Sequence, residues 1–158
     1  MSHQIEIYDE KELISENLDI NTLIIKACNF TLRAEGVCSP KLLSINFTDD
    51  KEMAFLNNKY MGYNETTDVL SFNEISIGTQ EKYNWPKEEK VSHERIGEII
   101  ISVPQVIKQC MNNFNHECVK LVVHGLLHIL GYDHALKKEE LIMFNKTDDI
   151  LSYIFKKN

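Results

Sequence analysis

The chain has 158 residues, of which 43% are hydrophobic and 26% are charged, as expected for one globular domain. Its 17 Lys and Arg against 24 Asp and Glu give a formal charge of -7, which excludes a uniformly basic nucleic-acid binder. Contact with a nucleic acid would therefore need a local basic groove.

Hydrophobic periodicity predicts alternating strands and helices in the first half of the chain. Ile5 and Ile7 alternate with polar residues, as in a strand, and apolar residues recur at helical steps after Asp19, a good N-cap. Glycine is typical of the position just after a helix. The predicted elements are a strand over Gln4 to Tyr8, a helix between Asp19 and Gly36, a strand around Leu43 to Phe47, and a helix capped by Asp49 and Glu52 that carries Tyr60 and is broken by Gly62.

The second half contains one long segment of little periodicity, from Asn73 to Glu94, which we predict to be a surface loop. The other predicted elements are a strand over Thr67 to Phe72, a short strand at Ile75 to Ile77 inside the loop, a strand over Ile96 to Ser102, a helix capped by Ser102 and ending near Phe114, a helix over about His116 to Leu130, and a last helix over about Lys138 to Lys156. This order predicts one α+β domain over residues 1–158, with a mixed sheet of about four strands flanked by helices.

Two further features concern location and redox state. No apolar run approaches the ~20 residues that span a bilayer, and the N-terminus lacks the basic start and apolar centre of a signal peptide. We therefore predict a cytoplasmic protein without a membrane segment. The cysteines form no CxxC pair, which predicts reduced thiols buried as small hydrophobic side chains. They are Cys28, Cys38, Cys110 and Cys118.

The most informative stretch is HGLLHILGYDH, residues 124–134. His124 and His128 lie four apart on a predicted helix, so their Cβ atoms are ~5–6 Å apart on one face. Gly131 can adopt the left-handed conformation that ends a helix, which would return His134 to the same place. Two ligands from a helix and one from the next turn leave a fourth position open, as in catalytic zinc sites. The residues therefore predict one metal ion; three imidazoles suit zinc but do not exclude nickel, copper or iron.

The same spacing occurs in the zinc-peptidase signature HExxHxxGxxH, with one departure. Gly125 stands where that signature has its general-base Glu. A peptidase or amidase mechanism therefore lacks its base. A zinc ion on three histidines would still lower the pKa of its water towards ~7.

These residues resemble the signature of the YbeY family of bacterial rRNA maturation factors and endoribonucleases. Three further segments are similar to motifs of that family and occur in its order, within about residues 43–151. They are LNNKY at 56–60 followed by TDVLSF at 67–72, GEIIIS at 97–102 with Glu98 in place of Asp, and the lead-in of His116-Glu117 and Leu121-Val122-Val123.

The resemblance implies a fold, a cofactor and a function. It implies a mixed sheet flanked by helices, with one zinc ion per chain held by His124, His128 and His134. It also implies a zinc-dependent endoribonuclease that acts on single-stranded RNA in 16S rRNA 3′-end maturation and in ribosome quality control. The implied partners are rRNA and the small ribosomal subunit, and no DNA is expected.

One departure concerns the cation that contacts RNA phosphate. The family has an Arg directly after the Tyr of its LN..YR motif, and this chain has Met61 there. Lys59, Arg33 and Arg95 are the alternative sources of positive charge. Asp68 and Ser71 are candidates to line the metal cleft, although polar residues in a strand equally often face solvent. Lys59, Asp68 and Ser71 are thus the predicted catalytic residues.

Two alternatives to the nuclease stay open. Met61 and the net acidity favour a non-catalytic ribosome-assembly factor whose metal is structural. The histidine spacing favours a zinc-dependent peptidase or amidase, which Gly125 opposes. Asp133 is predicted either to orient an imidazole or to stabilise the turn before His134.

Overall fold

The computed structural model describes residues 3–74 and 93–156. The short strand predicted at 75–77 lies outside the described residues, as does nearly all of the predicted loop around it. Within the described ranges the strands are β1 (Gln4–Tyr8), β2 (Lys41–Thr48), β3 (Val69–Asn73) and β4 (Glu94–Ser102). The helices there are α1 (Ile20–Ala34), α2 (Asp50–Met61), α3 (Val103–Gln109), α4 (Phe114–Ile129) and α5 (Lys137–Ile154).

The four strands form one mixed sheet in the order β1-β2-β4-β3. β2 runs parallel to both β1 and β4, and β3 lies antiparallel to β4 at the edge. In this register Ser71 of β3 lies opposite Ile99 of β4. The predicted α+β class and the predicted mixed sheet of about four strands are confirmed.

Helices cover both faces of the sheet. Ile99 and Ile101 of β4 point into the main core, which also contains buried side chains of α1, α4 and α5. Ile100 points to the other face, where it packs with Leu70 and with Met53 of α2. This alternation follows from the two-residue period of a strand, and it places α2 and α4 on opposite sides of the sheet.

Most predicted helix ends are observed. Gly36, two residues after the end of α1, and Gly62, directly after α2, have φ of +75° and +78°. Asp49 Oδ1 accepts a hydrogen bond from the Glu52 amide at 2.9 Å, as predicted. Asp19 does occupy the N-cap position of α1, but its side chain makes no capping bond. Asn17 Oδ1 instead accepts from the first amide of the helix at 3.2 Å.

The helix predicted to run from Ser102 to near Phe114 is wrong at its end. α3 ends at Gln109, because Met111 and Asn112 adopt left-handed backbone with φ of 45° and 74°. Neither position is glycine, so the sequence carries no strong signal for this turn. The Ser102 hydroxyl donates to Asp50 Oδ1 at 2.8 Å rather than capping α3.

The prediction of buried cysteines holds for two of the four. Cys28 and Cys118 are buried, and burial raises the pKa of each thiol to about 12. Cys38 is exposed and Cys110 is only partly buried against the main core, so the prediction is wrong for them, since Cys38 lies between α1 and β2 and Cys110 is the C-cap residue of α3. All four are free thiols, as predicted. No helix in the described ranges is both long and apolar enough to cross a membrane.

Two glycines let α4 and the edge strand lie close to β4. A Cβ at Gly97 would overlap the Phe72 carbonyl oxygen and lie 2.9 Å from Ile129 Cδ1. A Cβ at Gly125 would lie 3.2 Å from the Ile99 side chain. The absence of a side chain at these positions therefore fixes how α4 sits on the sheet.

We expect Gly97→Ala to lower the free energy of unfolding by about 2–3 kcal/mol, because the clash involves backbone that cannot easily move. Gly125→Ala is the milder comparison: its Cβ would meet only the buried Ile99 side chain, at 3.2 Å, and Ala favours a helix by about 1 kcal/mol over Gly, so we expect a smaller loss. Urea unfolding measures both. Equal losses in the two variants would contradict this account of the packing.

Candidate metal centre

The structure brings the three predicted ligands together. His124, His128 and His134 each offer a ring nitrogen, and these atoms all lie within 4.8 Å of one another. The Nε2 atoms of His124 and His128 are 3.1 Å apart. The rings of His128 and His134 have centroids 4.8 Å apart.

The turn after α4 returns His134 to the helix. The Tyr132 amide donates to the Leu127 carbonyl, and the Gly131 amide donates to the His128 carbonyl, each at 3.0 Å. Gly131 has a φ of +108°. This pair of bonds around a left-handed glycine is the Schellman motif, which ends a helix and reverses the chain. The role predicted for Gly131 is confirmed.

The hydrogen bonds of His128 fix which of its nitrogens is free. Nδ1 lies 2.9 Å from the Tyr132 carbonyl oxygen. A carbonyl oxygen can only accept, so Nδ1 carries the proton and Nε2 keeps its lone pair. That lone pair is on the nitrogen that faces His124.

The donor set fits a zinc-type ion. Burial lowers the pKa of His124 to about 4, helped by the neighbouring His128 and His134, and burial also lowers the pKa of His128. Both rings are therefore neutral near pH 7, as metal ligands must be. In a tetrahedral site with Zn–N of about 2.05 Å the nitrogens are about 3.3 Å apart, close to the spacing between His124 and His128.

Two distant elements hold the Tyr132 side chain. Its hydroxyl donates to Glu35 Oε2 at 2.5 Å, at the end of α1. Lys146 of α5 donates to the other oxygen of Glu35 at 3.0 Å, and its ammonium lies 5.2 Å from the centre of the Tyr132 ring. Glu35, Tyr132 and Lys146 together, here called the tyrosine clamp, position the carbonyl that accepts from His128.

Asp133 stabilises the turn. Its Oδ1 accepts from the His134 amide at 2.7 Å. Of the two predicted roles, the structure shows the one in the turn.

Asp68 lies just before β3, and Ser71 lies on the face of β3 that is directed towards α4. Asp68 precedes β3, where its carboxylate accepts from the Val69 amide at 2.8 Å and from Gln109 Nε2 at 3.0 Å. It is close enough to His124 for its charge to oppose the larger effect of burial on the pKa of that ring. Val69 packs on the main core, and Ser71, two residues later, shares its face of the sheet.

Lys59 lies elsewhere. It is on the last turn of α2, across the sheet from α4, and its ammonium lies 5.2 Å from the centre of the Tyr60 ring. Met61 ends the same helix and is 46% exposed. Arg95 pairs with Glu74 at 3.3 Å. The structure thus groups Asp68 and Ser71 with the face that carries the histidines and places Lys59 on the opposite side of the sheet.

Lys120 was not included in the sequence analysis among the cations near the histidines. It lies on α4 one turn before His124, and its Nζ is 3.2 Å from Glu117 Oε2. The signal was available, because the spacing of four that pairs His124 with His128 also pairs Lys120 with His124.

Gly125 stands where the peptidase signature has its general-base Glu, and the structure shows what surrounds this position. Gly125 is buried, and a side chain there would point at Ile99 in the core. A glutamate at this position would enter an apolar environment rather than the face that carries the histidines. The geometry therefore gives the peptidase alternative no support.

The fold and the site together place this chain in a class of proteins. These are α+β domains in which a helix and the turn after it present three imidazoles as a candidate metal centre. Within that class a family can be assigned. The family model described as Endoribonuclease YbeY matches residues 4–154. The chain therefore belongs to the endoribonuclease YbeY family.

Curated relatives agree with this assignment, and a solved structure shares the fold. The endoribonuclease YbeY of Halalkalibacterium halodurans is 36% identical in an alignment of 160 positions that covers 96% of this chain and 96% of that protein. The one from Oceanobacillus iheyensis is 35% identical and covers 93% and 94%. The solution structure of TM1509 from Thermotoga maritima has the same fold, with a TM-score of 0.56 at 23% identity over 98% of this chain and 89% of that one. The predicted family and the predicted enzyme class, an endoribonuclease, are confirmed.

We expect Tyr132→Phe to weaken metal binding by about 10–100-fold, as is typical when a group that supports a ligand is lost. The substitution removes only the hydroxyl that donates to Glu35, so the turn that places the Tyr132 carbonyl beside His128 loses one of its tertiary contacts. Competition with a chromophoric chelator measures the affinity. Tyr153→Phe, which changes an exposed tyrosine on α5, is the control, and an equal affinity in both variants would contradict the role of the tyrosine clamp.

The lowered pKa of His124 predicts that the metal-free chain loses stability on acidification. The unfolded ring takes up a proton near 6.5, whereas the folded ring does so near 4, so the unfolded state binds more protons between these values. We expect the free energy of unfolding to fall by about 1 kcal/mol between pH 7 and pH 5, allowing for solvent screening of a partly exposed ring. Urea unfolding with chelator present measures it. A His124→Gln variant should lose less, and an unchanged pH dependence would refute the prediction.

Proposed function

We propose that this chain is a zinc-dependent endoribonuclease of single-stranded RNA that acts in 16S rRNA 3′-end maturation and in ribosome quality control. The proposal places the activity in one metal-binding domain over residues 1–158, in the cytoplasm, with rRNA and the small ribosomal subunit as partners. The observation that carries it is the convergence of three histidine nitrogens at the end of α4 in a member of this family.

Each part of the site has a task in this proposal. His124, His128 and His134 would hold the zinc ion, and the lone pair on His128 Nε2 is already directed by the bond that Nδ1 donates. A zinc ion there would supply a Lewis acid that polarises a phosphoryl oxygen.

Asp68 and Ser71 would act on the substrate next to the histidines. The Asp68 carboxylate is held by three donors, so it is oriented to accept a hydrogen bond from the attacking hydroxyl or water. The Ser71 hydroxyl would donate to a phosphate oxygen. Lys59 remains a predicted catalytic residue, although its place across the sheet from α4 does not favour this role.

A second candidate is the ribosome-assembly factor with a structural metal. The observation that favours it is Met61, an uncharged and partly exposed side chain where the family has an arginine. The net charge of -7 also weakens non-specific attraction to RNA.

We expect His128→Ala to abolish both zinc binding and cleavage, because it removes the ligand whose lone pair is best directed. Purified wild type should contain about one zinc per chain and cut a labelled single-stranded oligonucleotide, with activity lost on chelation and restored by zinc. His116→Ala is the matched control, since it removes a histidine of the same helix that packs on Phe155 instead. It should keep both zinc and activity.

The outcomes separate the candidates. Equal cleavage by wild type and His128→Ala would indicate a contaminating nuclease and refute the proposal. In cells, a folded His128→Ala protein should leave unprocessed 16S 3′ ends. Normal 3′ ends in those cells would favour the assembly factor.

A further inference from the structure

Lys120 lies on the same face of α4 as His124 and His128. Residues 120, 124 and 128 follow one another at steps of four, so each Cβ is ~5–6 Å from the next along the helix surface. The Lys120 side chain is 45% exposed. Its ammonium is therefore open to a ligand that approaches His124 from solvent.

A network of polar contacts fixes the surroundings of Lys120. Lys120 Nζ lies 3.2 Å from Oε2 of Glu117, whose side chain is only 13% exposed and thus well anchored. The other oxygen of Glu117 accepts from Gln109 Nε2 at 3.0 Å, and the same nitrogen donates to Asp68 Oδ2 at 3.0 Å. The contacts run without a break from Lys120 on α4 to Asp68 at the start of β3.

Charge next to the histidines makes a cation necessary for an anionic ligand. Asp68 and Asp133 both lie near the histidines, and the chain as a whole carries -7. A phosphodiester that approached these carboxylates without a counter-charge would be repelled. A lysine ammonium is a compact charge with three donors and a common phosphate ligand.

We propose that Lys120, held by Glu117, is the residue of this site that binds the phosphate of the RNA backbone. The inference rests on the proposed function and adds to it a cation that lies on the same helix face as the metal ligands. The positive charge of Lys120 also contributes, after burial and the neighbouring histidines, to the lowered pKa of His124, as expected if the two side chains are close.

The test combines RNA binding with cleavage kinetics. The affinity of a fluorescent single-stranded RNA oligonucleotide is measured on ice by anisotropy over a range of salt concentrations, and kcat and KM are then measured on the same RNA. The variants are Lys120→Met, Lys120→Gln and Lys120→Arg. Lys26→Met is the control. Lys26 lies near Tyr153, and Tyr153 is about 24 Å along α5 from Lys137, where that helix begins.

Loss of one phosphate contact has a defined signature. Lys120→Met and Lys120→Gln should weaken binding about 5- to 10-fold at low salt and reduce the slope of log affinity against log salt by about 0.7. KM should rise by a similar factor, kcat should change less, and Lys120→Arg should restore most of the affinity. Lys26→Met should match wild type.

The two proposals fail in different ways. If wild type cleaves RNA and the Lys120 variants keep its salt slope and KM, the role of Lys120 is refuted and the nuclease stands. If wild type neither binds nor cleaves RNA, both proposals are refuted. If Lys120→Met loses RNA binding but keeps its zinc content, the result indicates that Lys120 binds phosphate and does not stabilise the metal centre.

Discussion

The left-handed turn at Gly131 sets the position of the third imidazole, and the metal centre depends on it. Had α4 continued, residue 134 would lie ~240° around the axis from His128 and ~9 Å further along it. Two backbone hydrogen bonds close the helix instead and reverse the chain. The His134 ring then comes to 5.6 Å from the His124 ring, between centroids. Backbone geometry, rather than the reach of a side chain, therefore makes a three-nitrogen site possible.

That turn is held in place by parts of the chain that are distant in sequence. Glu35 ends α1 and Lys146 belongs to α5, and both contact the Tyr132 side chain while its carbonyl accepts from His128. Gly125 and Gly97 bring the α4 backbone close to the sheet from the other side. The same packing that buries the apolar face of α4 thus also keeps two of the histidines neutral, because burial disfavours their charged forms.

Electrostatics around the site explains how an acidic chain can act on an acidic polymer. The overall charge of -7 excludes broad attraction, so contact with RNA must rely on a few local cations. The structure supplies Lys120 next to His124, paired with Glu117, and supplies Asp68 as an oriented acceptor across the same network. Positive and negative side chains thus lie close to the histidines, where their charges act most strongly on a ligand that approaches the site.

The sequence by itself determined the features that depend on neighbours along the chain. β1 was predicted at its observed bounds, the turns at Gly36, Gly62 and Gly131 were predicted because only glycine adopts positive φ readily, and the histidines were paired by helical spacing. Tertiary structure decided the rest. α3 stops at Gln109 although Met111 and Asn112 are not glycine, Lys59 lies across the sheet from α4, and Gln109 joins Asp68 to Glu117 of α4. Contacts of this kind join residues that are tens of positions apart in the sequence. They are set by the packing of helices on the sheet, and local propensity does not encode that packing.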